Sequence, residues 1–258
     1  MQRSLPAQKE WRLSGSDKEI IVKLFRRITA LACIMACLVV TPVFATEADY
    51  YDIGFMNFNG VYVNRLGQPL SNVTARGIDV SSYQGVINWA EVATDDVSFA
   101  FIRCGTTNTG VDKMFEANAT GAAANGIPFG LYYRTYAPNE EIARLEAQYT
   151  VMCAQNYGAT LPLVIDVEGS TLAALGTAQL QKNIEAFSDV VRAAGYTPMV
   201  YSSKSFMSTY IKSCSCDKWI AQYGDNFTYA GGAKYWQCSS HGWVKGIEGR
   251  VDIDFRLN

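Results

Sequence analysis

From Arg76 onward, short apolar runs alternate with amphipathic stretches, the pattern of a fold built from repeated strand–helix units. The runs are GIDVS (77–81), SFAFIRCG (98–105), IPFGLYYR (127–134), LPLVIDVE (161–168) and TPMVYSS (197–203). Residues 139–157 predict a helix. Asn139 is a good N-cap, Glu140 and Glu141 complement the positive helix start, and Gly158 ends it. Residues 178–194 predict another, with Leu180, Ile184, Phe187, Val190 and Val191 on one face before Gly195. After residue 212 the helical rhythm stops, and KWIAQY (218–223), KYWQCS (234–239) and VDIDF (251–255) read as plain strands. Five strand–helix units plus three strands give eight strands, the number that closes into a barrel filled by side chains. The expected fold class is α/β, an irregular (β/α)5β3 barrel resembling a TIM barrel.

The N-terminal part of the chain has a different pattern. A basic cluster (Lys23, Arg26, Arg27) precedes an apolar run from Ile28 to Val40 and the small-residue site Val43-Phe44-Ala45. That order is an export signal, with residues 1–22 as an extended n-region and cleavage expected after Ala45. The run is short for a membrane span; an uncleaved anchor is the alternative. Residues 46–75 lack sustained periodicity and read as a linker or small lead-in, leaving 76–258 as the barrel domain, expected to fold and act alone. The expected location is outside the cell, secreted or wall-associated, with no stable membrane association once the signal is removed.

Charge narrows the partner. The chain has 22 Lys and Arg against 24 Asp and Glu, and residues 1–45 hold seven and three of them. The remainder carries 15 against 21, a net charge of −6, without the basic footprint of a nucleic-acid binder. A zinc site is disfavoured by a single histidine, His241, and by the lack of a paired C-x-x-C, and no cofactor is expected. Five of the seven cysteines (Cys104, Cys153, Cys214, Cys216, Cys238) lie beyond residue 45. Their odd number leaves both disulfides and buried thiols open, with Cys238 as a possible partner for Cys214 or Cys216.

The candidate chemistry lies in LPLVIDVEGS (161–170), where Asp166 and Glu168 interrupt an apolar strand. Buried carboxylates are costly unless paired. Residues i and i+2 of a strand face the same way, so both acids point together at its C-terminal end, where βα barrels build their active sites. Asp79 in the first strand, and Asp252 and Asp254 in the last, join them, because first and last strands become neighbours on closure. Convergent carboxylates suit glycoside cleavage, in which one acid protonates the leaving oxygen and another stays negative. Binding Mg²⁺ or Ca²⁺ is the competing use. Aromatics crowd the strand ends: Tyr83, Tyr132, Tyr133, Tyr136, Tyr201, Trp219, Tyr223, Tyr235 and Trp236. They suit sugar stacking as well as core packing. Glu168, at the mouth among apolar walls and other acids, is expected to be pushed toward its protonated form, with Asp166 one pleat deeper remaining ionised.

GIDVSSYQGVINW (77–89), FIRCG (101–105), GLYYRTYA (130–137), LVIDVEG (163–169), WIAQY (219–223), YWQ (235–237) and VDID (251–254) occur in that order. Together they closely resemble glycoside hydrolase family 25, the N-acetylmuramidase lysozymes. The resemblance implies cleavage of the β-1,4 bond between N-acetylmuramic acid and N-acetylglucosamine, with peptidoglycan glycan strands as the partner of a monomer. It implies Glu168 as general acid, Asp166 as its partner, and Asp79 and Asp252 completing the acidic set. Tyr132, Tyr201, Trp219, Tyr223 and Gln237 match groove-lining positions. Three departures stand out. Asp254 replaces a common Asn, so the last strand offers two acids; Tyr133 replaces a common His; Cys238 replaces a common aromatic. A non-catalytic wall-binding module of the same fold is the alternative reading.

Overall fold

The computed structural model describes residues 54–258. The expected export signal, residues 1–45, lies outside them, as does the first part of the lead-in.

Two short strands, β1 (Met56–Phe58) and β2 (Val61–Val63), pair antiparallel. The barrel strands are β3 (Val73–Val80), β4 (Ala100–Thr106), β6 (Phe129–Arg134), β7 (Leu163–Asp166), β8 (Pro198–Ser203), β9 (Asp217–Ala221), β10 (Tyr235–Gly242) and β11 (Val251–Leu257). Two-residue β5 (Gly110–Val111) folds back on the end of β4. Pairing runs β3-β11-β10-β9-β8-β7-β6-β4, and a β3–β4 ladder closes the ring. Every step among β3, β4, β6, β7, β8, β9 and β10 is parallel; β11 runs antiparallel to both of its neighbours.

Helices α1 (Trp89–Val92), α2 (Phe115–Ala124), α3 (Glu140–Tyr157), α4 (Ser170–Ala173), α5 (Gly176–Ala193) and α6 (Lys204–Tyr210) follow the first five barrel strands. Asn139 caps α3 by accepting from the Ile142 N–H, and Gly158 ends it in the left-handed conformation at φ 75°. The five strand–helix units and three closing strands are those that the hydrophobic pattern predicts.

Strand alternation sorts the core into two compartments. One parity of each strand (Ile102, Leu131, Ile165, Val200, Ile220) faces the helices. The other fills the barrel with Phe99, Phe101, Tyr132, Val164, Met199, Tyr201, Trp219 and Tyr235. The bulk of Phe99 and Phe101 is accommodated by glycines on neighbouring strands. A Cβ on Gly77 would come within 2.5 Å of the Phe99 ring, and one on Gly130 within 2.6 Å of Phe101. Trp219 is the centre of this packing, with ring centroids 4.6 Å from Phe101 and 4.5 Å from Tyr201. Aromatic rings thus floor the barrel, and whatever stands above them on the same parity is lifted to the C-terminal mouth.

The described part of the lead-in packs against the outer face of the barrel. Phe55 is buried and meets Trp236 and Phe255 edge-on at 6.2 and 6.1 Å, and Tyr62 meets Phe255 at 5.5 Å. The five cysteines are thiols. Cys214 lies against Cys216, and Cys104 against Cys153, whereas Cys238 donates to the Ile253 carbonyl.

Candidate active site

Parity places the acids. On β7, Val164 faces the barrel interior, so Asp166 does too; Glu168, two residues further and just past the strand end, continues that face to the rim. On β11, Ile253 and Phe255 face outward, so Asp252 and Asp254 face inward. The β11–β3 register sets Asp252 directly opposite Asp79. A cavity of about 210 Å³ opens there, lined by Asp79, Asp166, Glu168, Asp252, Tyr132, Tyr201, Trp219, Tyr223 and Gln237. The four acids and five groove positions that the resemblance implies all line this one cavity.

Three layers can be distinguished. At the bottom Asp254, fully buried, accepts from Trp219 Nε1 at 2.7 Å and lies within hydrogen-bond reach of Asp79. Two carboxylates in contact cannot both accept, so a proton is shared between them. Asp254 is therefore an anchor beneath the floor, and Asp252 is the acid of the last strand that lines the cavity. Above it, Asp79 accepts from Gln237 Nε2 at 2.7 Å. Gln237 is held in turn by Tyr201 (2.8 Å) and Tyr223 (3.1 Å), whose hydroxyls donate to its Oε1. This fixes the amide orientation that presents N–H to Asp79. Burial, then the charge of Asp254, pushes Asp79 well above the usual carboxylate range. Burial and the neighbouring Asp79 raise Asp252 to about 8.

At the rim stands the pair that interrupts the apolar strand. Asp166 is buried, and its Oδ1 has no hydrogen-bond partner. Burial, followed by the charge of Glu168, raises Asp166 well above its ordinary value, while Arg134 and Arg103 pull the other way. Glu168 is half-buried and ion-paired through Oε1 with Arg134 Nη1. The structure thus corrects the expectation for Asp166. The deeper residue is the one driven toward its neutral form, because it is wholly desolvated beside a like charge, and the rim residue touches a guanidinium.

Arg134 and Arg103 also line the cavity and were not singled out in the sequence. Arg103 makes a buried pair with Asp112 (2.7 Å) and donates to Ser82 Oγ (3.1 Å). Arg134 donates through Nε to the Tyr136 hydroxyl (3.1 Å) and lies 5.7 Å from that ring's centroid. The signal was present: Arg103 shares the parity of Phe101, and Arg134 that of Tyr132. Tyr133, by the same parity, faces the helices and packs on Tyr149 at 6.0 Å. This position therefore shapes the barrel's outer packing, not the cavity. Of the aromatics at the strand ends, Tyr83, Tyr132, Tyr201, Trp219 and Tyr223 line the cavity, while Tyr235 and Trp236 are core.

The sequence model of Glycosyl hydrolases family 25 matches residues 78–247. The chain belongs to this family. It is a glycoside hydrolase. Lysozyme M1 of Streptomyces globisporus is 32% identical over 204 residues, 71% of this chain and 68% of that one. The modular autolysin LytC of Streptococcus pneumoniae, solved with a synthetic peptidoglycan ligand, superposes with a TM-score of 0.68 at 28% identity, over 79% of this chain. This chain spans about half of that autolysin, 52%. The bacterial lysozyme of Streptomyces coelicolor superposes with a TM-score of 0.62 at 27% identity, over 71% of this chain and 92% of that one.

Proposed function

We propose that the protein is an exported peptidoglycan muramidase. It hydrolyses the β-1,4 bond between N-acetylmuramic acid and N-acetylglucosamine, with Glu168 as general acid and Asp166 as its partner. The observation that carries this reading is the convergence of Asp79, Asp166, Glu168 and Asp252 at the C-terminal mouth of a closed barrel, above an aromatic floor. The likeness to lysozymes and an autolysin supports peptidoglycan as the substrate class.

The chemistry follows from the layering. Glu168 is the acid nearest solvent, so it meets the glycosidic oxygen. It keeps Oε1 against Arg134 and delivers to the leaving oxygen a proton that its other oxygen has taken from solvent. Positive charge that develops on the anomeric carbon is met by the carboxyl oxygens of Asp166 and its neighbours, whose lone pairs face the cavity in either protonation state. The acetamide oxygen of the substrate attacks that carbon as the bond to the leaving oxygen breaks, giving an oxazolinium-type intermediate with retention. Asp166, in either protonation state, keeps an oxygen that can accept the acetamide N–H and so orients it. Water then opens the intermediate at the anomeric carbon and returns its proton to Glu168.

Incubating residues 46–258 with purified cell walls tests the activity. New reducing ends on N-acetylmuramic acid support it, whereas binding without release identifies a wall-binding module instead. Export is tested by N-terminal sequencing of secreted protein, expected to begin at Thr46; an intact Met1 on a membrane-bound form would refute it.

A further inference from the structure

Helix α3 carries a buried carboxylate that the proposed chemistry does not use. Glu146 is 4% exposed and lies behind β6 rather than in the cavity. Both of its oxygens accept from threonines: Oε1 from the Thr107 hydroxyl, and Oε2 from the Thr135 hydroxyl at 2.6 Å. Each threonine oxygen then accepts a backbone N–H. Thr107 Oγ1 takes Tyr136 N–H at 2.6 Å, and Thr135 Oγ1 takes Ala137 N–H at 2.9 Å. A hydroxyl has one hydrogen to give. Because both threonines give theirs to Glu146, both present lone pairs to the 135–137 backbone.

That backbone segment carries Tyr136, whose hydroxyl and ring hold Arg134, and Arg134 holds Glu168. The Thr135 N–H also donates to the Asp166 carbonyl at 3.2 Å, and the Thr107 N–H to the Arg134 carbonyl at 3.3 Å. An unbroken series of hydrogen bonds therefore runs from a helix on the outside of the barrel to the rim acid. We propose that Glu146 is a positioning residue for Glu168, acting through Thr107, Thr135, Tyr136 and Arg134. This rests on the reading of Glu168 as the general acid. A carboxylate suits the task because only an acceptor at both oxygens sets both threonine hydroxyls in one sense. Its burial keeps competing water away from them.

The test measures kcat and KM on peptidoglycan glycan strands, with melting temperature alongside, for wild type, Glu146→Gln, Arg134→Ala and the double variant. Glutamine keeps the volume but offers an acceptor at one end only. Folded Glu146→Gln is expected to lose about tenfold in kcat with KM within about twofold, since misplacing a reacting group slows chemistry more than it weakens binding. In the Arg134→Ala background the same change should cost nothing further, because residues in one relay are not additive. Thr107→Val and Thr107→Ser provide a second route: valine should reproduce the kcat loss, and serine, which keeps the hydroxyl, should restore the wild-type rate. Unchanged kcat in folded Glu146→Gln and Thr107→Val, or losses that multiply with Arg134→Ala, would overturn the proposal and leave Glu146 a purely structural residue. A wild type that releases no reducing ends would instead overturn the muramidase reading, and the positioning role with it.

Discussion

Asp252 and Asp79 sit directly opposite one another in the ladder where β11 closes the barrel against β3. Like charges across a strand pair repel, and here Asp254 lies one pleat further in, against the same Asp79. Burial is the chief cause that raises Asp79, Asp252 and Asp254 alike, and protonation relieves their repulsion across the seam. Closing the barrel brings together acids that no local segment could assemble, and the native state binds protons tightly there as a result.

The pH dependence of stability follows in sign. An unfolded aspartate titrates near ~3.9, and Asp252 is raised to about 8 in the folded chain. Its contribution is complete below about pH 4 and is lost as pH climbs through about 8, because the folded state then holds a proton that the unfolded state has released. Asp79, Asp166 and Asp254 act in the same direction. Melting temperature is expected to fall between about pH 5 and about pH 8, and Asp252→Asn to flatten that fall. A wild-type melting temperature that rises across this range would contradict the assignment.

The barrel was legible because its signals are local and periodic. The i, i+2 parity that orients Asp166 and Glu168 also puts Tyr132 and Arg134 on the inner face, yet only the acids stand out in an apolar run. Arg134 follows two tyrosines and reads as a strand end; its importance comes from Glu168 just past β7, and strand pairing leaves no local trace. The charge state of Asp166 was misjudged for a related reason. Depth along a strand can be counted, but total desolvation depends on Tyr132, Tyr201 and the opposite wall. The lead-in gave no rhythm because its strands are three residues each, and its order comes from Phe55 packing on β10 and β11.

Phe55 yields a prediction on that point. Its ring is 2% exposed between Trp236 and Phe255. Phe55→Ala should cost about 3 kcal/mol through lost burial and the cavity left behind, lowering the melting temperature by roughly 6–12 °C in a domain of this size. The fragment 76–258 loses the same contact, and with it Val73 and Ala75 of β3, which pair with Leu257 and Arg256. It should melt below 54–258 in calorimetry. Equal melting temperatures would make the lead-in dispensable to the fold.

Trp219 links the aromatic floor to the acids. Its indole N–H is the donor that Asp254 Oδ1 receives at 2.7 Å in a fully buried setting. Trp219→Phe keeps most of the stacking on Phe101 and Tyr201 but leaves that oxygen without the donor. The cost should be about 1–3 kcal/mol. Asp254→Asn in the same background should recover part of it, since a neutral amide is cheaper to bury than an unpaired carboxylate. Chemical denaturation of Trp219→Phe, Asp254→Asn and the double variant provides the measurement, and strictly additive losses would show the two side chains to be energetically independent.

The roles of Glu168 and Asp166 can be separated by activity and stereochemistry. Glu168→Gln removes the transferable proton while keeping shape, so wall lysis should fall by several orders of magnitude with binding retained. The neutral amide also gives up the ion pair with Arg134, which is half-exposed and contributes little to stability, so the variant should fold normally. Asp166→Asn should lower kcat as well, because its amide can turn either an oxygen or an N–H toward the acetamide and no longer orients it uniquely. Proton NMR of freshly cut strands then distinguishes the route. Attack by the acetamide from the face opposite the leaving group, followed by water from the first face, gives the β-anomer as first product. An α-anomer would mean single displacement by an activated water, with Asp166 as the base. Near-normal lysis by Glu168→Gln would remove the acid from the rim altogether and reopen the assignment among Asp79, Asp166 and Asp252.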